Sequence, residues 1–245
     1  MPDQSTAALL GANSALGVAI ARRLADQGVS LILLARDESR LSQMADDLRA
    51  RGAQVITHVS DFDEWHEHEA IVTKIESADT IYTLYGTLPD QTLCEQNWDV
   101  TMRALHTNFI SAVSLLGRLA NVFEQRGHGT LVVVSSVAGD RGRKSNYVYG
   151  TAKGALSIFC AGLRNRLAKS GVHVLTVKPG FIDTPMTAHI EKKPAVLWVG
   201  ADRVAGDIVK ACESGKNELY TPWFWRFILL IIRLVPEPIF KRLSL

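Results

Sequence analysis

The chain has 245 residues, a formal net charge of +2, and 47% apolar and 21% charged residues. This length can form one α/β domain with a large core, and the composition is that of a globular enzyme rather than a disordered or fibrous chain. The small net charge, without a basic stripe before the C-terminus, excludes nucleic acid as an expected partner.

The cysteines and the N-terminus indicate a reducing compartment. Cys94, Cys160 and Cys212 are widely spaced and odd in number, so they predict neither a disulfide framework nor a metal site. The first four residues, 1–4, lack the charged-then-apolar pattern of a secretory signal. We therefore expect a cytoplasmic protein without a bound metal.

Apolar runs alternate with amphipathic segments along the chain. After the first strand, apolar residues recur at helical spacing from Leu16 and predict a helix there. The pattern predicts strands at 6–10, 30–34, 54–59, 80–84, 131–135, 172–177 and 218–221, helices at 37–50, 63–75, 147–169 and 202–212, and one or two long helices over 97–123. Such alternation indicates a single doubly wound parallel sheet of the Rossmann type, an α/β fold that binds ligands at the carboxyl ends of its strands. We expect one domain over 1–222 and an apolar C-terminal helical extension over 223–245.

A glycine-rich turn follows the first strand. It reads Gly11-Ala12-Asn13-Ser14-Ala15-Leu16-Gly17. Backbone N–H groups at the start of the next helix are unpaired and carry partial positive charge, so they can bind a pyrophosphate, and glycine lets the backbone approach it closely. Alone, the motif is equally consistent with a tight strand-to-helix turn.

A second motif carries chemistry. Tyr149 and Lys153 are four residues apart in a predicted helix, and Ser136 follows an apolar run upstream. Residues i and i+4 share a helix face, so the ammonium is expected to lower the phenol pKa from its usual value of about 10. Such a tyrosine can exchange a proton with a substrate oxygen that the serine holds. This set suits carbonyl reduction beside a hydride donor.

Together, the two motifs resemble the classical short-chain dehydrogenase/reductase family over about residues 5 to 222. In the family's Gly-xxx-Gly-x-Gly motif, Ala15 replaces the middle glycine, and the Tyr-xxx-Lys motif with its upstream Ser is matched in full. The resemblance implies that Tyr149 is the acid/base, that Lys153 also contacts the nicotinamide ribose, and that Ser136 orients the carbonyl. It assigns five residues of the turn to the cofactor: Gly11, Asn13, Ser14, Leu16 and Gly17.

The end of the second strand bears on the choice of cofactor. NAD-dependent members of the family have an acidic residue there, whereas this chain has Ala35 followed by Arg36. An arginine can pair bidentately with a 2′-phosphate, so the resemblance favours NADP(H). The alternative is that Arg36 is a solvated residue that pairs with Asp37 or Glu38.

Two other landmarks of the family are altered. The third strand usually ends in an Asp that contacts adenine; here His58 and Val59 occupy that place, and Asp61 could substitute from the loop. The fourth strand usually ends Asn-Asn-Ala-Gly. Here residues 83–86 read Thr-Leu-Tyr-Gly, so Gly86 is retained and Tyr85 adds bulk.

The remaining family positions lie on a helix and on a loop. Asn108 matches an asparagine that, in the family, holds a water linking the lysine to solvent; without the other motifs it would be interpreted as an exposed helix residue. Residues 179–184 match a Pro-Gly-x-x-x-Thr loop. The resemblance assigns cofactor contacts in this loop to Pro179, Gly180, Ile182 and Thr184.

The C-terminal segment 223–235 is dense in large apolar residues. Its uninterrupted apolar run, 227–232, is far shorter than the roughly 20 residues that span a bilayer. Bulky apolar and aromatic residues flanked by cations are typical of interfacial helices, so we expect peripheral membrane contact through 223–243, at the inner face of the membrane, with Trp223, Trp225 and Phe227 in the headgroup layer. The alternative is a helix packed on the substrate loop or on a partner subunit.

Similarity to one subgroup of the family indicates a substrate class. Segments 135–153, 179–189 and the tail, including Arg143, are similar to the decaprenylphosphoryl-2-keto-ribose reductases. The chain is therefore expected to be an NADP-dependent reductase of a lipid-linked keto sugar. A steroid, acyl or other amphiphilic carbonyl is an alternative substrate, and a non-catalytic NADP-binding scaffold is an alternative function. Family members often pair through the helices that hold Asn108 and Tyr149, so a homodimer or homotetramer is expected.

Overall fold

The computed structural model describes residues 5–190 and 194–243. The segment 1–4, on which the expectation of no signal sequence depends, lies outside the described residues. Seven parallel strands form one sheet in the order β3-β2-β1-β4-β5-β6-β9. They are β1 Thr6–Leu10, β2 Ser30–Ala35, β3 Val55–Val59, β4 Thr80–Thr83, β5 Gly129–Val134, β6 Val172–Pro179 and β9 Glu218–Thr221.

Helices cover both faces of this sheet. They are α1 Ala15–Asp26, α2 Glu38–Ala50, α3 His68–Ile75, α4 Gln91–Gln96, α5 Trp98–Leu105, α6 Ser111–Arg126, α7 Tyr147–Leu167 and α8 Ala201–Glu213. In β1, Ala7 and Leu9 point into one core layer, whereas Ala8 and Leu10 point into the other. Because a parallel strand is buried on both faces, its sequence is a continuous apolar run. The predicted doubly wound sheet is confirmed.

The chain order reverses direction between β1 and β4. From β1 the chain builds outward through β2 and β3, then returns to β4 on the other side and continues to β5, β6 and β9. Ligands bind in the crevice at such a switch point. The turns after β1, β4, β5 and β6 all open at this edge of the sheet.

Three local features differ from the sequence prediction. Of the one or two helices expected over 97–123, two are present, α5 and α6, and the π-helical turn between them, His106–Ile110, was not predicted. The helix expected over 63–75 begins with a 3₁₀ turn, Trp65–Glu67, and becomes α-helical only at α3. Two short strands, β7 Phe181–Asp183 and β8 Trp198–Gly200, pair beside the main sheet and were not predicted.

The C-terminal extension packs on the domain. Its helix α9, Trp225–Leu234, buries Trp225 and Leu229, which are 3% and 1% exposed, against Val137 and Phe181. Gly180 permits this contact, because a Cβ there would lie 1.8 Å from Nε1 of Trp225. The expectation that Trp225 enters a membrane headgroup layer is therefore wrong.

Arg141 fixes the other end of α9. Its guanidinium donates to the carbonyls of Ile232 and Val235, and pairs with Glu237 at 3.0 Å. A cation on the last carbonyls of a helix satisfies acceptors that have no partner within the helix. After α9, a short helix α10, Glu237–Phe240, ends the described chain.

The outward face of the extension remains apolar. Trp223, Phe227, Ile231 and Leu234 are 67%, 56%, 66% and 72% exposed. In the described part of the chain, no helix combines the length and apolar character needed to cross a bilayer.

Candidate active site

Close glycine contacts bring α7 against the turn that bears Ser136. A Cβ on Gly150 would lie 2.8 Å from the Ala138 carbonyl oxygen, and one on Gly154 would lie 2.8 Å from that of Gly139. Each glycine directly follows a catalytic candidate, Tyr149 or Lys153, so the helix face that meets the turn is fixed. The glycines of the motif Tyr-Gly-Thr-Ala-Lys-Gly, residues 149–154, indicate this close packing, which the sequence analysis did not predict.

Tyr149, Ser136 and Lys153 meet in one cavity. The Ser136 hydroxyl accepts from the Ala138 N–H at 3.1 Å and lies close enough to the Tyr149 phenol to act on its pKa. The Lys153 ammonium lies 6.0 Å from the Tyr149 ring centre and donates to the Val134 carbonyl at 3.0 Å. The three side chains are placed as the sequence predicts.

Their protonation differs from the sequence expectation. Burial raises the pKa of Tyr149 to about 12, although the Ser136 hydrogen bond acts to lower it. Burial also lowers the pKa of Lys153 to about 8. Low polarity penalises both charged forms, and this outweighs the attraction between phenolate and ammonium. The phenol is therefore protonated at neutral pH, which is the form that donates a proton to a carbonyl oxygen.

Asn108 lies in the π-helical turn and is 1% exposed, so the alternative of an exposed helix residue does not hold. Its amide donates to the carbonyl of Ala104 at 2.9 Å, and its oxygen accepts from the Thr87 N–H at 3.0 Å. A Cβ on Gly86 would lie 2.7 Å from that oxygen and 3.4 Å from the Lys153 ammonium. The retained glycine thus lets the chain after β4 pass against Asn108 and Lys153.

The glycine-rich turn fits a phosphate site. Gly11 adopts φ +91°, and a Cβ there would lie 2.8 Å from the Tyr85 backbone nitrogen. Ser14 caps α1 by accepting from the Gly17 N–H at 3.0 Å. The N–H groups of Ala15 and Leu16 in the same first turn have no partner among the described residues, and both residues line the cavity. Unpaired N–H groups at a helix start suit an anion.

Two departures in this region have clear structural consequences. Ala15 has a negative φ, as do all described non-glycine residues, so its replacement of glycine introduces no backbone strain. Gly17 does not line the cleft; a Cβ there would lie 2.5 Å from the Ala12 carbonyl oxygen, so this glycine serves the packing of α1 on the turn. Tyr85 stacks on Phe62 at 4.5 Å and lines the cleft.

A second cavity adjoins the first and extends to the end of β2. The two have volumes of about 330 and 260 Å³ and share Asn13, Ser14 and Gly86 in their walls. Arg36 lines the second cavity and forms no ion pair within the described residues, so the alternative pairing with Asp37 or Glu38 is not observed.

The sequence analysis missed Arg40 in this second cavity. Its guanidinium donates to the Asn13 carbonyl at 3.0 Å. The cavity is lined by Asp61, whereas the structure does not bring His58 and Val59 to it.

The loop after β6 closes the first cavity. Pro179, Gly180, Ile182 and Thr184 all line it, as the resemblance predicts. Further residues of the wall were not singled out as site residues by the sequence: Leu88, Val137, Asn146, Phe181, Met186, Thr187 and Ile190. Arg143, noted only as a point of likeness, also lines it. Nothing in their local sequence marks them, because they meet only through the fold.

These features fit a nicotinamide cofactor. The unpaired N–H groups of Ala15 and Leu16, with Gly11, form a cradle for a pyrophosphate, and the cleft continues from there past Gly86 to Tyr149. The two adjoining cavities together have room for a dinucleotide. Arg36 lies at one end, and Tyr149, Ser136 and Lys153 lie at the other.

Comparison with known proteins identifies the family. Residues 5–195 match the family model described as short chain dehydrogenase. An uncharacterized oxidoreductase of Mycobacterium tuberculosis is 36% identical over 240 residues, covering 96% of this chain and 95% of that protein.

Two solved structures share the fold. A variant of actinorhodin polyketide ketoreductase with NADPH has a TM-score of 0.81 at 22% identity, covering 90% of this chain and 97% of that one. A short-chain dehydrogenase from Sphingobium yanoikuyae in complex with NADPH has a TM-score of 0.84 at 22% identity, covering 98% and 96%. The chain belongs to the short-chain dehydrogenase family and is an oxidoreductase.

Proposed function

We propose that this protein is an NADP-dependent ketoreductase that reduces the carbonyl of an amphiphilic substrate, with a lipid-linked keto sugar as the favoured class. The observation that carries the proposal is the protonated, buried Tyr149 phenol, which shares a cavity with Ser136 and Lys153 at the end of a dinucleotide-sized cleft. A steroid or acyl carbonyl is the second candidate, favoured by the same apolar wall.

The residues of the chain have separate tasks in this reaction. The Ser136 hydroxyl holds the carbonyl oxygen, and the Tyr149 phenol donates its proton to that oxygen as negative charge develops there. A bound nicotinamide cofactor supplies the hydride. Lys153 stabilises the resulting phenolate; the Val134 carbonyl accepts from its ammonium, and Gly86 leaves room for both the ammonium and Asn108. These residues can act together because α7, which carries Tyr149 and Lys153, packs closely against the turn that bears Ser136.

Two arginines support NADP(H) over NAD(H). Arg36 lines the cleft at the end of β2 without an ion pair among the described residues, and Arg40 lies beside it in the same cavity. A 2′-phosphate would give these guanidiniums charge-assisted partners. The NADPH named with both structural neighbours is consistent with this choice.

The apolar surroundings support an amphiphilic substrate. Leu88, Met186 and Ile190 line the cavity, and Phe181 lies both in its wall and against Trp225 of α9 at 5.5 Å. The extension that bears the exposed apolar face is therefore one side chain away from the substrate cavity. We include in the proposal that this face, with Arg226, Arg233, Lys241 and Arg242 near it, contacts an anionic membrane from which the substrate is presented.

The catalytic assignment is tested with Tyr149→Phe, which removes the proton donor but keeps the ring. NADPH oxidation with a panel of ketones should fall on the order of 10²–10⁴-fold. NADPH binding, measured by fluorescence titration, should survive. Near-normal turnover in this variant would refute the assignment. A wild-type protein that binds NADPH but reduces no ketone would favour the non-catalytic scaffold.

Membrane contact is tested on the exposed face alone, because truncating the extension would also remove the buried Trp225 and Leu229. Phe227→Ser with Ile231→Ser should abolish sedimentation with liposomes that contain phosphatidylglycerol. The matched control is Ile56→Ser with Trp65→Ser, which changes two exposed side chains on or near β3, at the opposite edge of the sheet. Equal sedimentation of both variants would refute membrane contact through this face.

Self-association forms the last part of the proposal. The outer faces of α4, α5 and α7 expose Leu93, Trp98 and Ile158 by 53%, 69% and 77%. A second copy of the chain would bury these side chains and give the expected homodimer or homotetramer. Light scattering should report a dimer or tetramer that Trp98→Asp with Ile158→Asp converts to monomers; a monomeric wild-type protein would refute it.

A further inference from the structure

Arg143 is a charged residue of the substrate cavity to which the reaction gives no task. It lies on the loop between the Ser136 turn and α7 and lines the cavity together with Tyr149. Its Nε is buried and has no hydrogen-bond partner among the described residues. Burial lowers the pKa of its guanidinium. An arginine held this way keeps its charge at neutral pH but has lost part of its hydration.

The carboxylate that acts on Arg143 already has other partners. Asp140 is the acidic group that acts on it electrostatically. One Asp140 oxygen is paired with the Lys178 ammonium at 3.0 Å, and the other accepts from the Tyr220 hydroxyl at 2.7 Å. Both oxygens of Asp140 are thus already engaged, and its negative charge is balanced by the buried Lys178.

The cavity as a whole is cationic. Its described lining contains Arg40, Arg143 and Lys153 but no aspartate or glutamate. Arg40 contacts Asn13 at the cofactor end, and Lys153 contacts Val134 beneath the tyrosine. Arg143 is therefore the cation available to a substrate at the Tyr149 end of the cleft.

A second unpaired polar group lies beside it. Asn146 lines the cavity, and the buried oxygen of its amide has no hydrogen-bond partner in the described structure. Its backbone N–H donates to the Arg143 carbonyl at 3.1 Å, so the two residues form one turn that leads into α7. Buried polar groups without partners are uncommon in folded proteins and require an explanation, and a bound ligand is one such explanation.

From these contacts we infer that Arg143 forms a subsite for an oxyanion of the substrate, a phosphoryl or carboxylate group a few bonds from the reacting carbonyl, whereas the Asn146 oxygen, which only accepts hydrogen bonds, would take a neighbouring hydroxyl of the substrate. The inference rests on the proposed function and narrows its substrate class. A neutral ketone would leave the guanidinium desolvated and unpaired, whereas a phosphoryl ester next to the ketone would pair with it bidentately. The apolar remainder of the substrate would follow the wall formed by Phe181 and Ile190.

Two matched pairs of ketones test the subsite. Dihydroxyacetone phosphate and dihydroxyacetone differ only in the phosphoryl group, and methyl acetoacetate differs from acetoacetate in having a neutral methyl ester in place of the carboxylate. With NADPH, the wild-type kcat/KM should favour a charged member of a pair roughly ten- to hundred-fold, as one charge-assisted contact predicts. Arg143→Gln should abolish this preference, chiefly through KM, and Arg143→Lys should restore part of it. Arg103→Gln, an exposed arginine on α5, should leave it unchanged.

A binding measurement separates this inference from the proposed function. Calorimetric titration of glycerol 3-phosphate and of glycerol into protein saturated with NADP⁺ requires no turnover. Binding of the phosphate alone, lost in Arg143→Gln and kept in Arg103→Gln, would support the subsite even if every ketone were unreactive. Reduction of the ketones without any preference for charge, with no phosphate binding, would overturn the subsite and leave the ketoreductase intact. A carboxylate preference alone would support the subsite and assign it to carboxylates.

Discussion

Lys153→Met should make the protein more stable while it abolishes catalysis. Lys153 is 4% exposed, and burial lowers its pKa from 10.5 to about 8. At about 1.4 kcal/mol for each pH unit, keeping its charged form in the native state costs about 3 kcal/mol at pH 7. Loss of the hydrogen bond to the Val134 carbonyl offsets about 1 kcal/mol of the gain. The net stabilisation is about 2 kcal/mol, or roughly 4–8 °C in Tm for a chain of this size.

The pH dependence identifies the cause. Because the native pKa lies below the unfolded value of 10.5, the penalty is fully present below about pH 8. It disappears as the native lysine loses its proton while the unfolded one keeps it, so the wild-type protein gains stability between about pH 8 and 10.5. The difference in Tm between Lys153→Met and the wild-type protein should therefore close towards pH 10.

The assay is thermal unfolding followed by circular dichroism at pH 7 and pH 10, with NADPH oxidation measured on the same samples. Lys74→Met, an exposed lysine on α3, is the matched control and should shift Tm little at either pH. A Lys153→Met variant that is no more stable than the wild-type protein at pH 7 would refute the reasoning. So would a stability gap that is the same at both pH values.

Three further predictions follow from the contacts. Gly86→Ala should lower kcat on the order of 10²-fold in steady-state assays and should also lower Tm, because its methyl would lie 2.7 Å from the oxygen of the buried Asn108; unchanged kcat would contradict this. Arg36→Ala should weaken NADPH binding roughly ten- to hundred-fold more than NADH binding in fluorescence titrations, whereas equal weakening would exclude a role in recognising the 2′-phosphate. Trp225→Ala should lower the free energy of unfolding by about 3–5 kcal/mol in urea titrations, while the exposed Trp223→Ala should change it by less than about 1 kcal/mol; similar losses would contradict the packing of α9.

The fold was largely predictable because its signals are local. The strands predicted from apolar runs lie within two residues of the observed ones at each end, since burial on both faces requires an unbroken run. The predicted helix boundaries were wrong where tertiary contacts override the helical spacing of apolar residues, as at the π-helical turn His106–Ile110. That turn holds Asn108 toward Thr87, which lies 21 residues away in the chain.

The catalytic set was predictable for the same reason. The spacing of Tyr149 and Lys153 fixes their shared helix face without any knowledge of the rest of the molecule. Their protonation was not predictable, because it depends on how deeply the fold buries them. The sequence analysis inferred a lowered tyrosine pKa from the nearby ammonium, whereas burial raises it.

The sequence by itself determined the doubly wound sheet, the glycine-rich turn and the helix that carries the tyrosine and lysine, because each depends on residues a few positions apart. Only the tertiary structure decided that Trp225 packs against Gly180, that Gly86 lies against Asn108, and that Nε of Arg143 has no hydrogen-bond partner among the residues described. These relations join segments that are distant in the chain. They depend on how closely two distant segments pack, and a local pattern of residues does not predict that distance.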